Sequence, residues 1–310
     1  MLSFCSVLLQ PRFSLVIPVY DQQKHLLNVV ASIQRQTFKN FEIVFVDDGS
    51  TDESLQIIQG LSQKYDNIVI LKHEKNLGTL HTRTDGALSA NGEYVIQFDP
   101  DDRFTTDDAL QQLDEQMHES YDIYHFKENR IYNGEAYEFT WQNPKDIYLH
   151  NEQILDLVLN GKLSYTVHGK SIKRGLYTSL KNMFGPLESQ HIIYSEDFFM
   201  ILGLSINAKS YKGLNVVAYD YYMNTDSVMG DMETSLNKSI KYITDSNIIY
   251  QQCYHLTNSS LIFDRYLDVI WFFNQQTKLN YEDKFQICQL VLKEYVKDYE
   301  RVMHETCGFK

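Results

Sequence analysis

The chain has 310 residues, a formal net charge of −13 from 28 Lys+Arg against 41 Asp+Glu, and 43% hydrophobic residues. This composition suits a folded globular protein and excludes a disordered chain, and the acidic balance excludes a general nucleic-acid binder, which needs a basic face. The length allows one large domain or a core domain with an appendage, and a core that needs no disulfide or metal staple.

In chain order, Phe13–Ile17 is a short apolar run ending at Pro18, the pattern of a buried strand. Residues 22–36 carry Leu26, Val30 and Ile33 at helical spacing. Phe41–Val46 reads as a second strand, stopped by the turn Asp47-Asp48-Gly49. Ser50-Thr-Asp-Glu53 has the form of a capping box, and Leu55, Ile58 and Leu61 give the following helix its apolar stripe. Ile68–Leu71 is a third strand, Asn76-Leu77-Gly78 opens a helix running to about Ser89, and Tyr94–Phe98 is a fourth strand. Alternation at this length predicts a mainly parallel sheet flanked by helices. Residues 104–180 are mixed, Leu214–Tyr222 is strand-like, and from about Asp231 the pattern is helical and Tyr-rich. A boundary near 228–235 is expected. No internal repeat is found.

Four cysteines (Cys5, Cys253, Cys288, Cys307) lack CxxC or zinc spacing and read as reduced. No apolar run reaches the ~18 residues of a membrane span. The opening MLSFCSVLLQ lacks a basic segment and a small-residue cleavage site. A cytoplasmic protein is expected.

In parallel sheets ligands lie beyond the carboxyl ends of the strands. Three such ends are polar here: Pro18-Val19-Tyr20, Asp47-Asp48, and Asp99-Pro100-Asp101-Asp102. Clustered carboxylates repel one another unless a cation or a hydrogen-bonding ligand compensates. Asp99 and Asp101 can direct oxygens at one divalent ion with Asp102 adjacent, and hard oxygen donors suit Mg²⁺ or Mn²⁺. The plainer alternative is an acidic turn that caps the next helix.

The segments FSLVIPVYD, FEIVFVDDGSTDES and NLGTLHTRTDGALSANGEYVIQFDPDD stand in order over residues 13–104. They resemble the N-terminal half of family 2 glycosyltransferases, inverting enzymes of GT-A fold. The resemblance implies that Pro18, Val19 and Tyr20 line a nucleotide pocket. It implies that Asp48 accepts a hydrogen bond from uracil while Asp47 supports the turn, and that Arg83 reaches toward the nucleotide-sugar. Asp99 and Asp101 would be the DxD pair holding the donor diphosphate through Mn²⁺ or Mg²⁺, with Pro100 beside the donor and Asp102 in reach of the ion or the sugar. Asp21 and Thr82-Arg83-Thr84-Asp85 depart from the family's usual text, and a surface salt bridge is the alternative role for Arg83.

Val167–Arg174 is similar to a segment preceding the acceptor region. Tyr194-Ser-Glu-Asp197 matches an E-D motif whose carboxylate is the catalytic base, Asp197 or Glu196, and it equally suits a helix cap. Tyr221-Tyr222-Met223-Asn224 with Ser227 resembles the end of the catalytic domain, although Met223 stands where arginine is common. The resemblance therefore implies a GT-A catalytic domain over 1–230, with a nucleotide-binding half at 13–104 and an acceptor half at 105–230, followed by a helical extension over 231–310. It implies hexosyl or N-acetylhexosaminyl transfer from a UDP-sugar to a saccharide or lipid-linked saccharide, in bacterial surface polysaccharide, lipooligosaccharide or capsule synthesis.

Other functions lose on residues. Gly169-Lys170-Ser171 has the tail of a P-loop, but Ser164 stands where its first glycine belongs. No GxGxxG follows the first strand, which excludes a Rossmann dehydrogenase, and IPVYDQQKH lacks the glycine-rich loop of a sugar-nucleotide pyrophosphorylase. A catalytically silent sugar-binding protein of the same fold is the remaining alternative. In the extension, Tyr266–Phe273 is the most apolar stretch. It reads as a packed helix, or as a dimer or peripheral membrane surface if Trp271 and Phe272 are exposed.

Overall fold

The computed structural model describes residues 10–139, 147–150, 152–223, 236–262 and 264–266. The apolar runs of the first third become β1 (Phe13–Val19), β2 (Phe41–Asp47), β3 (Ile68–Lys72) and β4 (Tyr94–Gln97). They alternate with α1 (Leu26–Gln34), α2 (Ser54–Lys64) and α3 (Thr79–Ser89), and they pair in parallel in the order β3-β2-β1-β4. Successive side chains of a strand face opposite sides. Leu15, Ile17, Ile43 and Phe45 thus enter one core with Val29, Val30, Ile33 and Ile58. Val16, Val44 and Val46 enter the other with Leu80 and Ala87 of α3. Burial on both faces is why these strands read as unbroken apolar runs.

The second half extends the same sheet. It contains β5 (Arg103–Phe104), α4 (Ala109–Gln116), β6 (Ile123–Tyr132), β7 (Glu135–Phe139), β8 (Tyr148–His150) and α5 (Glu152–Leu159). After these come β9 (Lys170–Lys173), α6 (Leu176–Asn182), a 3₁₀ turn at Gly185–Ser189, α7 (Glu196–Asn207), β10 (Ser210–Tyr222) and α8 (Leu236–Thr257). The full order is β3-β2-β1-β4-β9-β6-β10-β5, with β7 on β6 and β8 on β10. β9 is antiparallel to both β4 and β6, while β6 and β10 are parallel to each other. Hence β1, β2, β4, β6 and β10 run the same way, and their carboxyl ends share one edge. The sheet is mainly parallel and flanked by helices, as the sequence predicts.

Two local expectations differ. The helix expected from residue 22 begins at Leu26. The capping box at Ser50 does not form, because α2 begins at Ser54 with Glu53 at its N-cap and no side-chain cap bond. The cause is Asp21, whose carboxylate accepts from the Thr51 and Asp52 amides, while Ser50 Oγ accepts from the Asp21 amide and Asp52 Oδ1 from the Ser54 amide. The turn is built across two loops rather than within one.

α8 shares a core with α7 through Tyr242, Ile243, Ile249, Tyr250 and Cys253. Cys253 is a buried free thiol. Trp271 and Phe272 lie outside the described residues. Among the described residues, no helix is long and apolar enough to cross a membrane.

Candidate active site

The shared edge gathers the residues singled out from the sequence. β1 ends in Pro18 and buried Val19, with Tyr20 exposed just beyond. β2 ends in Asp47, which is fully buried with neither carboxylate oxygen hydrogen-bonded among the described residues. Asp48 faces the other way, toward α3. Its carboxylate accepts from the amides of Leu77 (2.8 Å) and Gly78 (2.9 Å) and meets His73 Nδ1 at 2.8 Å. Burial would raise its pKa, but these bonds hold it below the usual carboxylate range. His73 in turn is pushed up to about 9 by its bonds to Asp48 and to Asp85, whose carboxylate lies 3.5 Å from Nε2. Asp48 therefore pins the Asn76-Leu77-Gly78 turn to the end of β2. Sequence reasoning missed His73 and noticed Asp85 only as an unusual letter, which marks one end of this ion trio.

Gly78 has φ +91°, and a Cβ there would lie 2.5 Å from the Ile192 carbonyl oxygen. Only glycine allows the segment before α7 to approach so closely. One turn into α3, Arg83 is buried and donates from Nη2 to Asp99 Oδ1 at 2.7 Å, with Nε 3.8 Å from Glu196 Oε1. Burial disfavours its charge, but Asp99, Asp197 and Glu196 outweigh that and raise its pKa. Its Nε and Nη1 have no hydrogen-bond partner among the described residues. Arg83 is thus an interior residue of the site rather than a surface salt bridge.

Glu196 and Asp197 open α7. The preceding Ser195 is in the left-handed region at φ +61° and makes no side-chain cap bond. Glu196 is buried. Asp197 is part-exposed, accepts from the Val167 amide at Oδ2 (3.3 Å), and keeps Oδ1 unpartnered among the described residues. Burial raises the pKa of both carboxyls, with Arg83 opposing.

Beyond β4, Asp99, Pro100 and Asp101 are part-exposed, whereas Asp102 is buried. Asp102 accepts from the Tyr219 hydroxyl (2.6 Å) and the Tyr222 amide (2.8 Å), and that same hydroxyl accepts from the Asp99 amide (3.1 Å). Asp102 thereby braces the acidic turn against β10. Burial, then Asp99 and Asp101, hold its carboxyl well above the usual range, which favours its neutral form and leaves Asp99 and Asp101 as the part-exposed carboxylates of the turn. Among the described residues, no group of three or more His, Cys, Asp or Glu side chains could hold an ion unaided. Two part-exposed carboxylates at Asp99 and Asp101 do fit an ion that completes its shell with a bound diphosphate and water.

A further group, drawn from segments that the sequence does not link, lies beside this edge. His168 is buried, meets Glu128 Oε2 at 2.6 Å, and stacks between Tyr219 and Tyr221 (centroids 5.4 and 5.1 Å). Burial lowers its pKa, but Glu128 outweighs this and raises it. Lys170, also buried, donates to the Thr166 carbonyl and is brought down to about 8 by burial. Only the pairing of β6 with β9 and β10 brings these residues together.

The chain is 30% identical over 216 residues to a poly(ribitol-phosphate) β-glucosyltransferase of Bacillus spizizenii, covering 68% of this chain and 32% of the relative. It is 29% identical over 216 residues to the poly(ribitol-phosphate) β-N-acetylglucosaminyltransferase TarS of Staphylococcus aureus, covering 68% of this chain and 35% of the relative. It spans about a third of the length of these curated relatives. The crystal structure of S. aureus TarS 1–349 in complex with UDP-GlcNAc superposes with a TM-score of 0.56 at 17% identity, covering 96% of this chain and 88% of that one. That likeness shows the same GT-A fold. Residues 14–178, more than half the chain, match the model of glycosyl transferase family 2. With the strand-end motifs in place on one edge of a GT-A sheet, the chain belongs to glycosyl transferase family 2.

Proposed function

We propose that this chain transfers a sugar from a UDP-sugar to an acceptor hydroxyl in a single displacement that inverts the anomeric centre. The observation that carries the proposal is the convergence of Arg83, Asp99, Glu196 and Asp197, far apart in sequence, at the carboxyl edge of the sheet. Asp197 takes the proton from the acceptor hydroxyl. Its Oδ2 is anchored by the Val167 amide, Oδ1 is unpartnered among the described residues, and burial makes the carboxylate a stronger base. Such a base contributes about 10²–10⁴-fold. Arg83 stays charged, and its Nε and Nη1, without hydrogen-bond partners among the described residues, can donate to the anionic donor. Asp99 and Asp101 are the residues that would hold Mn²⁺ or Mg²⁺, which when bound stabilises a departing diphosphate as a Lewis acid. Tyr219 and Asp102 keep that turn in place.

UDP as the nucleotide is supported by the TarS structures in complex with UDP and with UDP-GlcNAc. The relatives' names divide between glucosyl and N-acetylglucosaminyl transfer, so both donors belong in the screen, as does poly(ribitol-phosphate) beside saccharide and lipid-linked acceptors. The test is UDP release from a panel of UDP-sugars with Mn²⁺, with and without EDTA. Acceptor-dependent release from one donor, lost in EDTA and restored by Mn²⁺, is expected. UDP binding without turnover would point instead to a silent binding protein, and no binding of UDP would defeat the proposal.

A further inference from the structure

We infer that α8 is part of the catalytic machinery. Asp245 on α8 is a positioning residue that holds the segment His191–Ser195, and through it the carboxylates of Glu196 and Asp197. The inference rests on the assignment of that pair to transfer.

Asp245 is fully buried and belongs to no other described function. Its Oδ2 accepts from the amides of Ile193 (3.0 Å) and Tyr194 (3.3 Å), and its Oδ1 receives Lys241 Nζ at 2.5 Å. Lys241 also donates to the His191 carbonyl, and Ser246, the next residue of α8, meets Ser195 Oγ at 2.6 Å. One face of α8 thus holds the segment at four of its five residues. The opposite side of the segment is held as well. The Leu80 amide donates to Ile192 O (3.3 Å), His191 Nε2 lies 2.7 Å from Asn76 Oδ1, and Gly78 packs against the Ile192 backbone. The segment is therefore wedged between α8 and the start of α3, the helix that carries Arg83.

Such a wedge is needed because Ser195 sits in the left-handed region, where a side chain costs about 1–2 kcal/mol and persists only if its surroundings dictate it. Ser195 sets the direction in which α7 starts, and among the described residues the Asp197 carboxylate has one backbone tether, to Val167. Removing the Asp245 carboxylate would orphan two backbone N–H groups and relax the turn immediately before the base. A displacement of about 1 Å at a reacting group can cost on the order of 100-fold in rate. The packing of α8 on α7, with Tyr250 stacked on Phe198 (4.6 Å) and Tyr242, Ile243 and Ile249 buried in the same core, does not involve Asp245 and would keep the helix in place.

The test uses the full chain with Asp245→Ala, Asp245→Asn and Ser246→Ala, measuring donor kinetics, UDP affinity by calorimetry, and amide exchange of residues 192–197. We expect Asp245→Ala to lower kcat at least about 10-fold with donor KM and UDP affinity within about threefold, and to speed amide exchange of Ile193 and Tyr194 at least about 10-fold. Asp245→Asn, which retains an acceptor oxygen, should recover most of kcat, and Ser246→Ala should lower it severalfold. A kcat for Asp245→Ala within twofold of wild type, or unchanged exchange, overturns the inference. If Asp245→Ala loses its fold, a normal kcat and normal exchange in Ser246→Ala overturn it. Wild-type chain that turns over no UDP-sugar defeats the transferase reading instead, and the exchange experiment still decides whether Asp245 holds the segment.

Discussion

Glu196 and Asp197 are adjacent in sequence and unequal in setting. Glu196 is buried beside Arg83, whereas Asp197 is part-exposed with an unpartnered oxygen among the described residues. Asp197→Asn is therefore expected to lower transfer by about 10²–10⁴-fold while sparing UDP binding. A larger loss in Glu196→Gln, or loss of UDP binding in Asp197→Asn, would reassign the base. Because burial raises the Asp197 pKa and a base must be ionised, kcat should rise with pH along a limb above the usual carboxylate range. A limb near 4 would show that burial is not felt at the base. His73 permits a second experiment. Its folded pKa, about 9, exceeds the ordinary 6.5, so its stabilisation is complete below pH 6.5 and is lost as pH rises through 9. His73→Asn should then cost on the order of 1–3 kcal/mol at pH 6.5, and clearly less at pH 10, by urea unfolding. An equal cost at both pH values would mean the imidazolium does not hold the Asp48–Asp85 pair. The sequence located Asp48 and Asp102 by type and spacing. It did not indicate that Asp48 is occupied by His73 and the Leu77 and Gly78 amides, or that Asp102 faces Tyr219, because those partners lie in other elements.

α3 joins the two ends of the candidate site. It begins beside Asp48, carries Arg83, and touches the segment leading to α7. Gly78 at its N-terminus allows that contact. Gly78→Ala places a methyl group 2.5 Å from Ile192 O and 2.9 Å from Ile192 N at φ +91°. Since both neighbours are backbone and cannot swing away, a loss of at least about 2 kcal/mol is expected, with weaker UDP binding. Gly60 provides the control. It lies exposed within α2 with nothing within 4 Å of a built Cβ, so Gly60→Ala should stabilise by about 0.5–1 kcal/mol. Denaturant midpoints of the two variants would check both signs, and equal shifts would refute the steric argument. The long apolar elements β1, β2, β3 and β4 were legible because each is a local pattern repeated over several residues. The Ser50 capping box misled for the opposite reason: Asp21, from another loop, takes the amides at 51 and 52.

For the molecule as a whole, legibility falls where pairing stops following chain order. β9 inserts antiparallel between β4 and β6, and β10 reaches back to pair with β5, β6 and β8, so residues 104–180 read as mixed although they complete the sheet. The same topology assembles His168, Glu128, Tyr219 and Tyr221 beside the acidic turn, a grouping that the separate segments around Val167 and Tyr221 do not announce. The net charge of −13 acquires a local meaning, because Asp99 and Asp101 stand part-exposed at a site that fits a cation, with Arg83 paired to Asp99 beside them. The expected division near residue 230 is open to a direct test through α8. Tyr242, Ile243, Ile249, Tyr250 and Cys253 are buried in the core that also contains Phe198, Phe199 and Leu202 of α7. At about 1.5–3 kcal/mol for each large apolar side chain, removal of the four large ones would cost on the order of 6–12 kcal/mol. That is comparable with the ~5–15 kcal/mol by which a whole domain is stable. A chain ending at residue 235 should therefore fail to fold cooperatively, and it should neither bind UDP nor show the circular dichroism of the full chain. A soluble 1–235 fragment with a sharp thermal transition and full-chain UDP affinity would show that α8 is an appendage after all. It would also place the stability of the GT-A sheet entirely in the residues before it.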